Sequence, residues 1–130
     1  MASCPQDRSF RHDDVDPAEL AWDEYLRKLA EPSGPLSLQR LREIERLWHA
    51  LRGQITAPLP LPYATATEDG EFVMTWDRDP HHFEIEVLAD GKYEWFYLNR
   101  SSGESCGEED HALGATCSPE MISRLRRTIV

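Results

Sequence analysis

The sequence predicts a single α+β domain built from an N-terminal helical hairpin, a three- to four-stranded antiparallel meander and a short C-terminal helix. Three observations carry that prediction. Apolar residues alternate at period two in Phe72/Met74/Trp76, Phe83/Ile85/Val87 and Tyr93/Trp95/Tyr97, the pattern of half-buried strands. Asp90-Gly91 stands between the last two runs and has the chemistry of a tight hairpin turn. Leu38, Leu41, Ile44, Trp48, Leu51 and Ile55 recur at spacings of three and four, which lays one apolar stripe along a helix.

Residues 1–15 are polar, charged and aperiodic, and are expected to form a tail outside a domain of residues 16–130. Asp16-Pro17 offers an N-cap followed by proline, and Leu20, Trp22, Tyr25, Leu26 and Leu29 continue as a first helix. Pro32-Ser33-Gly34-Pro35 stops it, and Ser37 caps a second helix, giving a helical pair over residues 16–53. The far side of the second helix carries Arg40, Arg42, Glu43, Arg46 and Arg52. Pro58, Pro60 and Pro62 make residues 56–62 an extended, stiff spacer. Tyr63 to Thr67 is expected as a short edge strand, and Glu68-Asp69-Gly70 as a turn into the sheet of residues 63–108.

A two-residue type I′ turn at Asp90-Gly91 would set Val87 opposite Glu94, Ile85 opposite Phe96 and Phe83 opposite Leu98. Opposed residues share a sheet face. One face would then collect Phe83, Ile85, Val87, Phe96 and Leu98, with Glu94 at its rim. The other would collect Glu84, Glu86, Leu88, Tyr93, Trp95 and Tyr97. On the other side of the Phe83 strand, Trp76 is expected opposite Phe83, Met74 opposite Ile85 and Phe72 opposite Val87, joined by a polar loop, Asp77 to His82. Ser101 to Glu104 is turn-like, and residues 105–116 are rich in glycine and acid with no period of their own. Ser118-Pro119-Glu120 opens a last helix over residues 118–128, ending in Arg124, Arg126 and Arg127, which suit a helix C-terminus.

The chain has 130 residues and a formal net charge of −10. Residues 68–110 hold 3 basic and 13 acidic groups, so the predicted sheet carries the whole excess. That sign disfavours direct contact with a phosphate backbone and favours a basic protein partner. No apolar run has the length of a membrane span, and the polar start lacks the core of a signal peptide, so a cytoplasmic protein is expected.

Cys4, Cys106 and Cys117 are an odd number and are read as reduced thiols. Cys106, His111 and Cys117 are ligand types for zinc, but their spacings match no tight knuckle and Cys-x-x-Cys is absent, so buried or idle side chains are the simpler reading. His81 and His82, beside Asp77 and Asp79, have the composition of an acid–base pair, yet adjacent residues of an extended segment point to opposite sides. No glycine-rich phosphate cradle and no nucleophile elbow is present. No cofactor is implied, and the enzyme reading is the weaker one.

The mixed face is left. Tyr93, Trp95 and Tyr97 beside Glu84 and Glu86 combine rigid apolar area with carboxylates, a mixture suited to a partner's Arg or Lys. Against this stands a helix of the same chain covering the aromatics and leaving the acids at the edge.

Ala66 to Trp76, with Thr67-Glu68-Asp69-Gly70 at its turn, followed by Phe83-Glu84-Ile85-Glu86-Val87, resembles a group of small bacterial proteins of uncharacterised function. They share a proline-rich lead-in, a Thr-x-Asp-Gly turn, a strand ending in Trp and an alternating Glu strand. The resemblance covers roughly residues 58–100. It implies an accessory component of mobile or defence-type gene cassettes, antitoxin-like or adaptor, and carries over no functional residue. The expected function is thus a non-enzymatic protein-binding module. Its alternatives are a structural subunit docking through the helical pair, and a small metal-binding or hydrolytic protein using the His and Cys groups.

Overall fold

A computed structural model describes residues 20, 22–24, 26–27, 36–55, 58–112 and 117–130. The expected tail of residues 1–15 and the link at Pro32-Ser33-Gly34-Pro35 lie outside the described residues. Within them, helix α1 (Leu38–Gln54) precedes strands β1 (Tyr63–Ala66), β2 (Phe72–Arg78), β3 (His81–Val87), β4 (Lys92–Asn99) and β5 (Ser105–Ala112), and helix α2 (Pro119–Ile129) closes the chain. The strands form one antiparallel sheet in the order β1-β2-β3-β4-β5. The α+β class holds, with five strands where three to four were expected. No helix among the described residues is long and apolar enough to cross a membrane.

Both helices begin as their sequences dictate. Ser37 Oγ accepts the amide of Arg40 at 3.1 Å, and Ser118 Oγ accepts that of Met121 at 3.0 Å, each satisfying an amide that has no partner within its helix. From α1, Leu41, Ile44, Leu47, Trp48 and Leu51 are buried, while Leu38 is 57% exposed and stands off the stripe. Before α1, the described residues Leu20, Trp22 to Glu24, Leu26 and Arg27 are helical, and Trp22 stacks on Trp48 with centroids 4.7 Å apart. From α2, Met121, Ile122, Leu125 and Thr128 face the sheet, packing against β2, β3 and β4. In the proline segment, the carbonyl of Pro60 accepts the indole N–H of Trp76 at 2.8 Å.

Between β2 and β3 the register is the predicted one, with Phe72 opposite Val87, Met74 opposite Ile85 and Trp76 opposite Phe83. The connection is shorter than expected. His81 and His82 belong to β3, and only Asp79 and Pro80 form the turn.

Between β3 and β4 the register differs from the prediction by one residue. Val87 faces Tyr93, Ile85 faces Trp95, Phe83 faces Tyr97, and Glu84 faces Phe96. The cause is the turn. Gly91 alone has positive φ (90°), its amide bonds to the carbonyl of Leu88 at 3.0 Å, and the amide of Leu88 bonds to the carbonyl of Lys92 at 2.7 Å. This is a three-residue loop, Ala89-Asp90-Gly91, closed by a left-handed glycine. A type I′ turn needs positive φ at both central residues, and Asp90 does not adopt it.

The energetics favour this register. Each large aromatic ring buries about 150–250 Å², or about 4–6 kcal/mol per ring at 25 cal/mol per Å² before entropy is subtracted. Tyr93, Trp95 and Tyr97 are at most 3% exposed here. The alternative would display all three rings and bury Phe96 and Leu98 beside the charge of Glu94.

Strand β5 was not foreseen as a full strand, because its residues are polar on both sides. Gly107 makes its pairing possible, since a Cβ there would lie 2.5 Å from the carbonyl oxygen of Trp95. The β4–β5 register shifts between Tyr93 and Trp95, so that Glu109 and Asp110 together oppose Glu94, with Asp110 at φ 64°. This is a β-bulge, and it returns His111 to the core side opposite Tyr93.

The core is continuous and lies on one side of the sheet. It joins Trp22, α1 and α2 to Phe72, Met74, Trp76, Phe83, Ile85, Val87, Tyr93, Trp95 and Tyr97. No residue of the opposite face is buried among the described residues.

Candidate functional site: the open acidic face of the sheet

The uncovered face is set by the pleat. Residues alternating with the buried ones are Val73 and Thr75 on β2, His82, Glu84 and Glu86 on β3, and Lys92, Glu94, Phe96 and Leu98 on β4. Gly107 on β5 lies directly opposite Phe96. Phe96 is 41% exposed. Over Gly107 the face dips into a depression of about 590 Å³, lined by Glu84, Glu86, Glu94, Phe96 and Glu109 among others.

Its electrostatics are dominated by carboxylates, with Lys92 exposed at the start of β4. Glu86 stands directly opposite Glu94, an unfavourable like-charge pair. Its carboxyl is pushed up from the usual range by partial burial first, and then by the charges of Glu71, Glu94 and Glu84. Among the described residues no Lys or Arg pairs with Glu86, Glu94 or Glu109. Several carboxylates elsewhere are matched, as in Glu43 with Arg40, Glu104 with Arg124 and Arg127, and Glu120 with Arg124.

At one end the face is closed by a charged cluster. His82 Nδ1 is 2.8 Å from Asp77 Oδ2, and Nε2 is 3.0 Å from Glu84 Oε1. Arg100 donates to both oxygens of Asp77, at 2.9 and 2.6 Å. These two partners, Arg100 above all, hold the Asp77 carboxyl well below the usual carboxylate range. For His82, burial works against the charged form, but the bonds to Asp77 and Glu84 outweigh it and raise its pKa. Geometry gives the same answer, since a ring with carboxylates at both nitrogens needs an N–H on each. His81 points the other way, with Nδ1 2.7 Å from the hydroxyl of Tyr97. The two histidines therefore act in different surroundings and form no acid–base pair.

The register separates the predicted partner-binding set. Glu84 and Glu86 are on the open face, whereas Tyr93, Trp95 and Tyr97 are core residues beneath the helices. Arg124 and Arg127 of α2 lie 5.4 and 5.8 Å from the ring centroid of Tyr97. Burial, with Cys117 and Glu108 nearby, pushes the Tyr93 hydroxyl up to about 12. The aromatic member of the open face is Phe96, which the assumed turn had placed in the core. The signal that could have found it was already present, since three rings outweigh one ring and a leucine.

The suggested zinc ligands are not brought together either. Cys106 is opposite Tyr97 and His111 opposite Tyr93, four strand positions away, or about 13 Å along the sheet. His111 Nε2 instead meets Glu108 Oε1 at 2.9 Å and its ring stacks on Tyr93. Cys117 is buried, and burial raises the pKa of both thiols. Among the described residues no three His, Cys, Asp or Glu side chains are grouped to hold a metal ion. No family model, curated protein or solved structure matches this chain.

Proposed function

We propose that this chain is a non-enzymatic protein-binding module, an adaptor or antitoxin-like component, that presents its open sheet face to a basic protein partner in the cytoplasm. The observation that carries the reading is the set of carboxylates Glu86, Glu94 and Glu109, without an ion pair among the described residues, around the exposed ring of Phe96. An exposed aromatic ringed by charge of one sign combines contact area with electrostatic steering. Binding elements of this kind tolerate the repulsion between Glu86 and Glu94 because a cationic partner relieves it.

The test is retention of partner by the tagged chain from its native cell extract, compared with a Glu86→Lys/Glu94→Lys variant. The expected result is a salt-sensitive partner lost in the variant, with an unchanged circular dichroism spectrum. Equal retention by the folded variant would remove this face from consideration.

A second reading has its own observation. Leu20 and Leu38 are each 57% exposed, and Leu38 lines a shallow depression with Leu26 and Leu41. A structural subunit docking through the helical pair would cover them. It predicts a mass above the monomer in sedimentation, independent of salt.

A further inference from the structure

We propose that the depression between β3, β4 and β5 receives an arginine side chain of the partner, in preference to lysine, with its guanidinium laid on the ring of Phe96. The inference rests on the docking reading above and adds the residue type that is read there.

The pairing brings the parts together. Across β3, Glu84 is the direct neighbour of Phe96, and Glu86 is a diagonal one. Along β4, Glu94 is two residues away on the same face, about 7 Å from Phe96. Across β5 the direct neighbour is Gly107, which has no side chain to lean on the ring. Nor can the position readily gain one, because a Cβ would stand 2.5 Å from the Trp95 carbonyl oxygen. The ring is thus open on the β5 side and bordered by carboxylates.

Among the described residues no Lys or Arg lines the depression, and Lys92, on the same face of β4 two residues from Glu94, is not one of its walls. Arg100 is engaged with Asp77, Arg40 with Glu43 and the carbonyl of Ala89, Arg126 with the carbonyl of Gln54, and Arg124 with Glu104 and Glu120. Among the described residues Glu86 and Glu94 have no cationic partner, and an arginine of the partner would supply one.

Arginine fits better than lysine for three reasons. Its planar guanidinium stacks on an aromatic face, it sheds water more readily than an ammonium, and its fork serves two carboxylates at once. A lysine would find the same negative field without the stacking surface. A nucleic acid is excluded by sign.

The experiment uses the full chain and two blocked pentapeptides of equal charge, one with two arginines alternating with glycine, the other with lysines in their place. Calorimetry of the wild type should give tighter binding of the arginine peptide, by about three- to fivefold. In Phe96→Leu that preference should vanish, while weaker, salt-sensitive binding of both peptides persists. Equal binding of the two peptides by the wild type, or an undiminished preference in Phe96→Leu, overturns the arginine assignment and leaves the docking face standing. Binding of neither peptide overturns both. Phe96 lies outside the core, and the dichroism of the variant checks that the fold is kept.

Discussion

The indole N–H of Trp95 donates to Glu108 Oε1 at 2.9 Å across the β4–β5 pair, and that bond ties the last strand to the core. Trp95 is 3% exposed, so its donor has no easy replacement by water. Glu108→Ala should lower stability by about 1–2 kcal/mol in urea unfolding, the cost of an orphaned buried donor. The Glu108 carboxyl is held below its ordinary pKa by Trp95 first, then by Ser118 and His111. A depressed carboxylate contributes stability above its unfolded pKa and loses it as pH falls through the folded one. The gap between wild type and variant should therefore narrow in acid, below the ordinary glutamate range. A constant gap from pH 7 to pH 3 would contradict this account.

His82 has the opposite sign. Its pKa lies above the ordinary 6.5 in the fold, so its contribution is complete below 6.5 and is lost as pH rises through the folded value. NMR titration of its ring should give a midpoint above 6.5. His82→Gln should cost more stability at pH 6 than at pH 9. A midpoint at or under 6.5 would mean that the Asp77 and Glu84 bonds do not outweigh burial.

Glu86 should be worth more removed than kept, as far as stability goes. Its raised pKa means that the ionised form is disfavoured in the fold, so stability declines as pH rises through that value. Glu86→Gln should stabilise the domain at pH 7 by about 0.2–1 kcal/mol, the scale of a like-charge cross-strand pair. The same change should weaken partner binding. Loss of stability in Glu86→Gln would indicate that the face is organised around that carboxylate rather than strained by it.

Gly107→Ala tests close approach of strands. Its methyl must displace the Trp95 carbonyl or the whole of β5, at a cost of about 1–3 kcal/mol. Gly103 offers a control, since it has a positive φ of 79° but nothing near an added Cβ, so Gly103→Ala should cost only about 1 kcal/mol of backbone strain. Equal losses in the two variants would show that β5 gives way freely.

Local chemistry was legible wherever one signal acted alone. Ser37 and Ser118 announce their helices, and the β2–β3 register follows from Phe72, Met74 and Trp76 meeting Val87, Ile85 and Phe83. Two signals competed at β4. Asp90-Gly91 suits both a two-residue and a three-residue loop, and only the comparison of buried areas decides between them. That comparison also moves Tyr93, Trp95 and Tyr97 off the candidate site and puts Phe96 on it. Strand β5 was hidden for another reason. Its pairing depends on a missing side chain at Gly107 and a bulge at Asp110, neither of which leaves a period in the sequence.

The Ala89-Asp90-Gly91 loop separates its own length from the facing of the strand that follows. Which side chains of β4 reach the core is fixed by the pairing of Val87 with Tyr93, Ile85 with Trp95 and Phe83 with Tyr97, and a one-residue slip of that pairing would hide Phe96 and turn the three rings outward. A residue removed from the loop, or added to it, can be absorbed as a two- or four-residue turn while those pairs stay in place. In chains that keep this core and this binding surface, the loop is free to change length by single residues, provided that the pairs on either side of it are kept.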